Sequence, residues 1–318
     1  MKTDTVQQHI YVAGIGAANL DALWQSNAAI NLRDSNPARR FDSVGGVARN
    51  ICENIARLGV DVSMLSLVGD DAEGETIIRE SERAGIDMSR VARIAGAKSS
   101  SYIAVIDDLG DMLVGLSDMR LIQTMPVSYL EENAPVLRGA RYIICDGTLP
   151  AGILEELAKR YGEKCLVDPV SIAYAKKLVP MIGGFFCIKP NRYELETLSG
   201  ISCGTDADIV NAAERLLTAG TRVVLVSLGE RGCFYADAEG RRFFRSVEPL
   251  TRMADATGAG DAFLGAFTAA LARELPTETC VDLALAAGRV AAASEHTVAP
   301  EMSEALLWET LRRFTPEK

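Results

Sequence analysis

The sequence has two histidines, His9 and His296, and no Cys-x-x-Cys pair among its seven cysteines. A histidine-based metal centre and a Ser-His-Asp relay are therefore both poorly supplied. The cysteines sit mostly in apolar runs, which reads as buried thiols kept reduced in the cytoplasm and not as a disulfide framework. Cations are scarce relative to acids: 33 Lys and Arg against 43 Asp and Glu give a formal charge of −10, with a pI near 4.9. That balance argues against nucleic acid or an anionic membrane as partner, and any phosphate must be held by local amides and a few cations. No cationic-plus-apolar segment opens the chain and no apolar run reaches about 18 residues, so a soluble, cytoplasmic protein is expected. The phosphate-cradling pattern GxxxxGK[ST] is missing as well, so a P-loop is excluded. Internal repeats, low-complexity runs and Pro/Gly-rich linkers are likewise missing; at 318 residues a single domain carrying a small lid is the better count.

What is present centres on Asp255-Ala256-Thr257-Gly258-Ala259-Gly260-Asp261, which runs into the apolar segment from Ala262 to Leu271. Two glycines allow a tight turn and close approach to a ligand. If the apolar segment is a helix, its first amides offer an anion site. A carboxylate at Asp261 would repel that anion unless it has a task, and a general base taking a proton from an attacking hydroxyl is one. The alternative is a helix cap, and the local pattern leaves both open.

Ile10 to Gly16 reads as a buried strand entering a glycine turn. Gly14-x-Gly16 lacks the third glycine and the following apolar helix of a dinucleotide site. Asn19 and Asp21 lie just beyond, where ligands bind in open α/β sheets. Gly45-Gly46 opens a helix whose apolar stripe is Val47, Ile51, Ile55 and Leu58, closed by Gly59; Asn50 lies off that stripe. Val62 to Val68 reads as one strand. Ser99–Asp107 and Asp111–Ser117 flank Asp108-Leu109-Gly110 as a hairpin apolar on both faces. It is expected to join strands from 22–44 in a small sheet acting as a lid, a subunit interface, or both. From residue 140 onward strands and helices alternate, which predicts a parallel sheet covered on both sides. Its strand ends carry Asp146, Asp168 and the segment Lys189 to Glu194. Asn191 and Glu194 suit a water-mediated Mg²⁺ site and equally a capping box.

Four separated stretches resemble the signatures of the ribokinase-like (PfkB) carbohydrate and nucleoside kinases. They are Gly45-Gly46-Val47-Ala48-Arg49-Asn50 leading to Leu58-Gly59, the NxxE set Asn191 to Glu194, Val226 to Gly232, and Asp255 to Asp261. Finer stretches, among them Asp34-Ser35-Asn36-Pro37, Val167-Asp168-Pro169 and Ile188 to Arg192, resemble the pseudouridine-phosphorylating branch. The resemblance implies a three-layer α/β sandwich with a mostly parallel central sheet and a β lid drawn from about 20–44 and 97–119. It implies ATP and Mg²⁺, with K⁺ as a further cation. Asp261 becomes the base, and the amides of Gly258, Ala259 and Gly260 the anion hole. Asn19, Asp21, Gly45, Gly46, Asn50 and Asp146 would hold the ribose; Asn191, Ser227, Gly229 and Gly232 would line the nucleotide. Glu194 would reach Mg²⁺ through water, and Asp255 and Thr257 would begin a monovalent-cation loop. The implied partners are a small sugar or nucleoside and a second copy of the chain docked through the lid. The stretch 286–299, where the family binds adenine, is the poorest match.

Overall fold

The computed structural model describes residues 11–109, 111–246 and 258–314. Eight strands form the large sheet, in the spatial order Arg242–Arg245, Cys233–Asp237, Val223–Ser227, Cys187–Ile188, Cys165–Asp168, Tyr142–Asp146, Tyr11–Ile15 and Asp61–Leu65. The six strands from Val223–Ser227 to Asp61–Leu65 pair in parallel. The first two add an antiparallel edge that the alternation alone does not announce. Side chains along each strand alternate between two apolar clusters: Val12, Ile144, Leu166 and Leu225 join one, and Ala13, Ile143, Val167 and Val224 the other. The first cluster is closed by the helices Val47–Arg57, Ala259–Ala272 and Thr277–Ala293. The second is closed by Ala151–Tyr161, Ile172–Leu178, Arg192–Ser199 and Asp206–Thr218. Burial on both faces is why these strands read as continuous apolar runs.

The expected single strand over 62–68 is two. Asp61–Leu65 joins the large sheet, Leu67–Gly69 pairs with Ala92–Ile94 elsewhere, and Ser66 sits between them. Ser66 turns its hydroxyl to the Gly16 carbonyl at 2.7 Å, which ends the ladder at that point. The small sheet comprises Ala38–Gly45, Asn19–Ser26, Ser101–Ile106 and Met112–Asp118 in that order, drawing on the two segments anticipated for it. All seven cysteines are buried and unpaired. Among the described residues, no helix is long and apolar enough to cross a membrane.

The helix Ala259–Ala272 is buried nearly all round, as a helix apolar on every side must be. It crosses Val47–Arg57 at Gly265, where an added Cβ would lie 2.8 Å from the Asn54 Cβ and 3.1 Å from the Ile51 carbonyl oxygen. That close crossing brings the start of each helix to the carboxyl end of the sheet.

Candidate active site

Strand order reverses at Tyr11–Ile15, whose neighbours are Asp61–Leu65 on one side and Tyr142–Asp146 on the other. Ligands in open α/β sheets bind at such a point, beyond the carboxyl ends of the strands. Gly16, Asp146, Asp168, Lys189 and Ser227 all sit there.

Asp261 lies in the first turn of Ala259–Ala272 and is 8% exposed. Its Oδ2 accepts a hydrogen bond from Asn50 Nδ2 at 3.0 Å. Burial pushes its carboxyl up to about 7, helped by the Asp168 charge; the Asn50 hydrogen bond and the Lys189 ammonium oppose the rise. Asn50, off the apolar stripe of its helix, is buried against this carboxylate and not exposed to solvent. Gly258 caps the helix at φ 82°, and a Cβ there would collide with the Thr297 carbonyl. Only glycine combines that left-handed backbone with that contact.

Lys189 is the residue that pattern reading passed over. It is buried, and its Nζ lies 2.9 Å from Asp168 Oδ2. A Cβ on Gly260 would stand 3.1 Å from the same ammonium, so the cation borders the glycine turn. Burial works to lower its pKa, but the carboxylates of Asp168, Glu194 and Asp261 hold it above the ordinary lysine value. The sequence signal was available: a lysine directly after the apolar Phe185-Phe186-Cys187-Ile188 and before proline has little room to reach water.

Asn191 and Glu194 form the capping box. Asn191 Oδ1 accepts from the amides of Tyr193 and Glu194 at 2.9 and 3.0 Å, and Glu194 Oε2 accepts from the Asn191 amide at 2.8 Å. Glu194 is nonetheless buried near Asp168 and Lys189, and burial, then Asp168, raises its carboxyl pKa. Capping and a second task are thus compatible. Asn191 also bridges to Ser227 on the next strand. Beyond it the chain turns through Gly229 at φ 61° and Gly232 at φ 89°; a Cβ on Gly232 would strike the Arg245 carbonyl.

On the small-sheet side, Asn19 lies opposite Gly45 in the ladder and donates from Nδ2 to Asp21 Oδ1. A Cβ on Gly45 would run into the Asp21 carboxylate. Burial lifts the Asp21 carboxyl to about 6, against the Asn19 hydrogen bond and the Arg49 charge. Gly46, at φ 103°, abuts the Ala17 carbonyl. Asn19, Asp21, Gly45 and Gly46 thus lie together where the small sheet meets Val47–Arg57, with Asn50 in the first turn of that helix; Asp146 differs from them. Asp146 is fully buried, and its two oxygens accept from the amides of Ala17, Ala48 and Thr148 and from the Thr148 hydroxyl. It is a brace tying the glycine turn at Gly16 to the start of Val47–Arg57, with no oxygen left for a ligand. Asp255 and Thr257 lie outside the described residues. Among the described residues, no group of three or more acidic, histidine or cysteine side chains is placed to hold a metal ion.

Comparison with known proteins agrees with this geometry. The family model described as pfkB family carbohydrate kinase matches residues 12–304. Pseudouridine kinase of Escherichia coli K12 is 31% identical, with 92% of this chain and 94% of that protein covered. Guanosine-inosine kinase of Exiguobacterium acetylicum is 28% identical over 93% of this chain and 99% of that one. Among solved structures, Arabidopsis thaliana ribokinase complexed with ribose and ATP superposes with a TM-score of 0.82 at 20% identity, over 95% of this chain and 99% of that one. Thermotoga maritima ribokinase gives 0.83 at 20% identity, over 95% and 99%; at that identity both speak for the fold alone. The chain belongs to the pfkB family of carbohydrate kinases, phosphotransferases acting on small sugars or nucleosides.

Proposed function

We propose that the protein transfers the γ-phosphoryl group of ATP to the ribose 5′-hydroxyl of pseudouridine. The observation that carries the chemistry is Asp261, a buried carboxylate with its pKa near 7, held at a helix start beside Asn50 and close to Lys189. A base so tuned is half ionised at neutral pH and strong enough to take a hydroxyl proton. In the proposed reaction Asp261 accepts that proton as the 5′-oxygen bonds to the γ-phosphorus, and the bond to the β-phosphate oxygen breaks to release ADP. Charge developing on the transferring group faces the amides of Gly258, Ala259 and Gly260 and the Lys189 ammonium. Asn19, Asp21, Gly45, Gly46 and Asn50 orient the ribose; Asn191, Ser227, Gly229 and Gly232 line the nucleotide. Glu194 would hold Mg²⁺ through water, and that ion would offset the negative charge of the phosphates. Asp255 and Thr257 are proposed to begin a K⁺ loop.

For the base, the reading rests on the likeness to pseudouridine kinase and on Ser100. The Ser100 hydroxyl oxygen is buried with no hydrogen-bond partner among the described residues, beside the Leu20 amide that its own carbonyl receives at 3.1 Å. Pseudouridine presents one ring N–H that uridine lacks, and a buried acceptor left unpaired costs about 1–3 kcal/mol. Asp118, another acceptor of the hairpin, is already paired with Arg120 at 2.6 Å. The guanosine-inosine kinase relative supports a second reading, a kinase for another nucleoside. A silent nucleoside-binding regulator is a third, disfavoured by the intact base and glycine turn.

The four-stranded sheet is proposed as a lid that also docks a second copy. Asp21 lies on one face; the opposite face carries Trp24, Ile103, Val114 and Leu116, all more than a third exposed. An apolar patch of that kind needs a cover.

The deciding experiment measures ADP release with pseudouridine, uridine, guanosine, inosine and ribose, in K⁺ and in tetramethylammonium buffers of equal ionic strength. Pseudouridine is expected to give the highest kcat/KM, with K⁺ faster than tetramethylammonium. Another nucleoside at the top defeats the substrate assignment, equal rates in both buffers defeat the K⁺ loop, and no substrate-dependent release defeats the enzyme.

A further inference from the structure

An asparagine amide has two ends of equal shape and opposite hydrogen-bonding character, and its neighbours decide which way it faces. Asn50 stands between Asp261 and Arg49. Its Nδ2 donates to Asp261 Oδ2 at 3.0 Å and its Oδ1 accepts from Arg49 Nη1 at 3.3 Å. Turned over, the amide would set its oxygen against a carboxylate and its NH₂ against a guanidinium that can only donate. Arg49 is itself fixed on three sides. Nε donates to Ser81 Oγ at 3.1 Å, Nη1 reaches the Val44 carbonyl at 3.4 Å, and Nη1 pairs with Glu53 Oε2 at 2.5 Å. Glu53 is in turn held by Arg57 at 2.6 Å. Arg49 and Glu53 are both buried, so the guanidinium has one place to be.

We propose that Arg49 is a positioning residue that locks the Asn50 amide with its NH₂ end toward Asp261. The inference rests on the reading of Asp261 as the base. Its consequence concerns the proton. Once Asp261 is protonated it can donate, and an Asn50 free to turn would offer its oxygen and trap that proton. With Arg49 in place the amide cannot turn, so Asn50 favours only the ionised base. The other charged groups around Asp261 are Asp168, Lys189 and Asp146, with Glu194 beyond Lys189 and Asp21, Glu53 and Arg57 around Arg49. None of them touches both ends of the amide.

The test compares wild type, Arg49→Met, Asn50→Ala and the double variant, using pseudouridine with MgATP and following kcat/KM from pH 5.5 to 9. Arg49→Met is expected to move the acid limb up by about one pH unit and to lower kcat/KM at pH 7 by about tenfold, while in the Asn50→Ala background the same change leaves the limb in place. A limb unmoved by Arg49→Met would overturn the proposal. So would an equal movement with Asn50 absent, because that outcome assigns the effect to the charge of Arg49 through space. Should Arg49→Met not fold, Arg49→Gln, whose amide can accept as well as donate, no longer fixes the Asn50 orientation; it should move the limb in the same direction, and no movement overturns the proposal. A parallel series follows melting temperature against pH for each variant with and without Asp261→Asn. It reads the Asp261 titration with no turnover, so a protein inactive on every nucleoside would still show whether Arg49 acts through Asn50.

Discussion

Replacing Asp261 by Asn should abolish turnover and make the protein more stable at pH 8. The fold holds a carboxyl whose pKa rises from 3.8 to about 7, chiefly through burial. Ionising it inside the protein instead of in the unfolded chain costs about three pH units, or about 4 kcal/mol at about 1.4 kcal/mol per unit. The sign follows from the order of titration. Below pH 3.8 the group is protonated in both states and contributes nothing. Between about 4 and 7 the unfolded chain has lost its proton while the folded protein keeps it, so wild-type stability falls as pH rises; above 7 the loss is complete and constant. Asparagine carries no such charge and still accepts the Asn50 hydrogen bond, though more weakly as a neutral acceptor. With about 0.7 kcal/mol per degree for a chain of this length, the variant should melt about 2–6 °C above wild type at pH 8. The gap should close toward pH 4. Scanning calorimetry at pH 4.5, 6, 7 and 8 reads the trend, and steady-state assays read the loss in kcat, about 10²–10⁴-fold for removal of a general base. A variant that melts at or below wild type at pH 8, or a gap that ignores pH, refutes the electrostatic reasoning. Retained turnover would remove Asp261 as the base.

Gly265→Ala should press Ala259–Ala272 away from Val47–Arg57, because the new Cβ would meet Asn54 at 2.8 Å and the Ile51 carbonyl at 3.1 Å. A loss of about 1–3 kcal/mol is expected from overpacking, with a fall in kcat larger than any rise in KM; denaturant unfolding with normal stability would show that the helices part freely. If the proposed dimer forms through the small sheet, Leu116→Glu, on the face opposite Asp21, should turn it into a monomer in analytical ultracentrifugation. A monomer before substitution removes that interface.

Much of the fold was legible because burial on both faces leaves its mark in consecutive apolar residues, as in Tyr142–Cys145 and Val223–Val226. The helix at Val47–Arg57 showed in a regular stripe, and the small sheet showed in a hairpin too apolar to stand alone. Two features escaped. Cys233–Asp237 and Arg242–Arg245 form a hairpin whose arms are short and whose second arm, Arg-Phe-Phe-Arg, carries an arginine at each end, which hides the strand period. The break at Ser66 depends on a hydroxyl finding the Gly16 carbonyl fifty residues away, and nothing local specifies that. The site divides along the same line. Asp261, Gly258 and Asn50 lie in motifs whose spacing is itself the constraint. Asp146 read as a rim carboxylate because sequence fixes its place at a strand end but not whether it turns inward. Arg49, Asp168 and Lys189 carry their meaning in partners that only the fold supplies.

The buried charges explain why the Asp261 carboxylate is poised near neutrality. Asp146 is satisfied by backbone amides and a hydroxyl, and Asp168 by the Lys189 ammonium. Lys189 is therefore largely committed, and what reaches Asp261 from it is partial. Among the described residues Asp261 accepts from the Asn50 amide and faces two unfavourable carboxylates, Asp168 and Asp146, and with burial the largest cause its pKa climbs. A free cation beside it would lower its pKa toward the ordinary carboxylate value, where the group is a weaker base. The same shortage bears on the phosphate donor. The chain has a net charge of −10, and among the described residues one buried lysine borders the glycine turn. On the proposed reading the triphosphate must bring its counter-cation with it, and the protein needs only to orient what arrives.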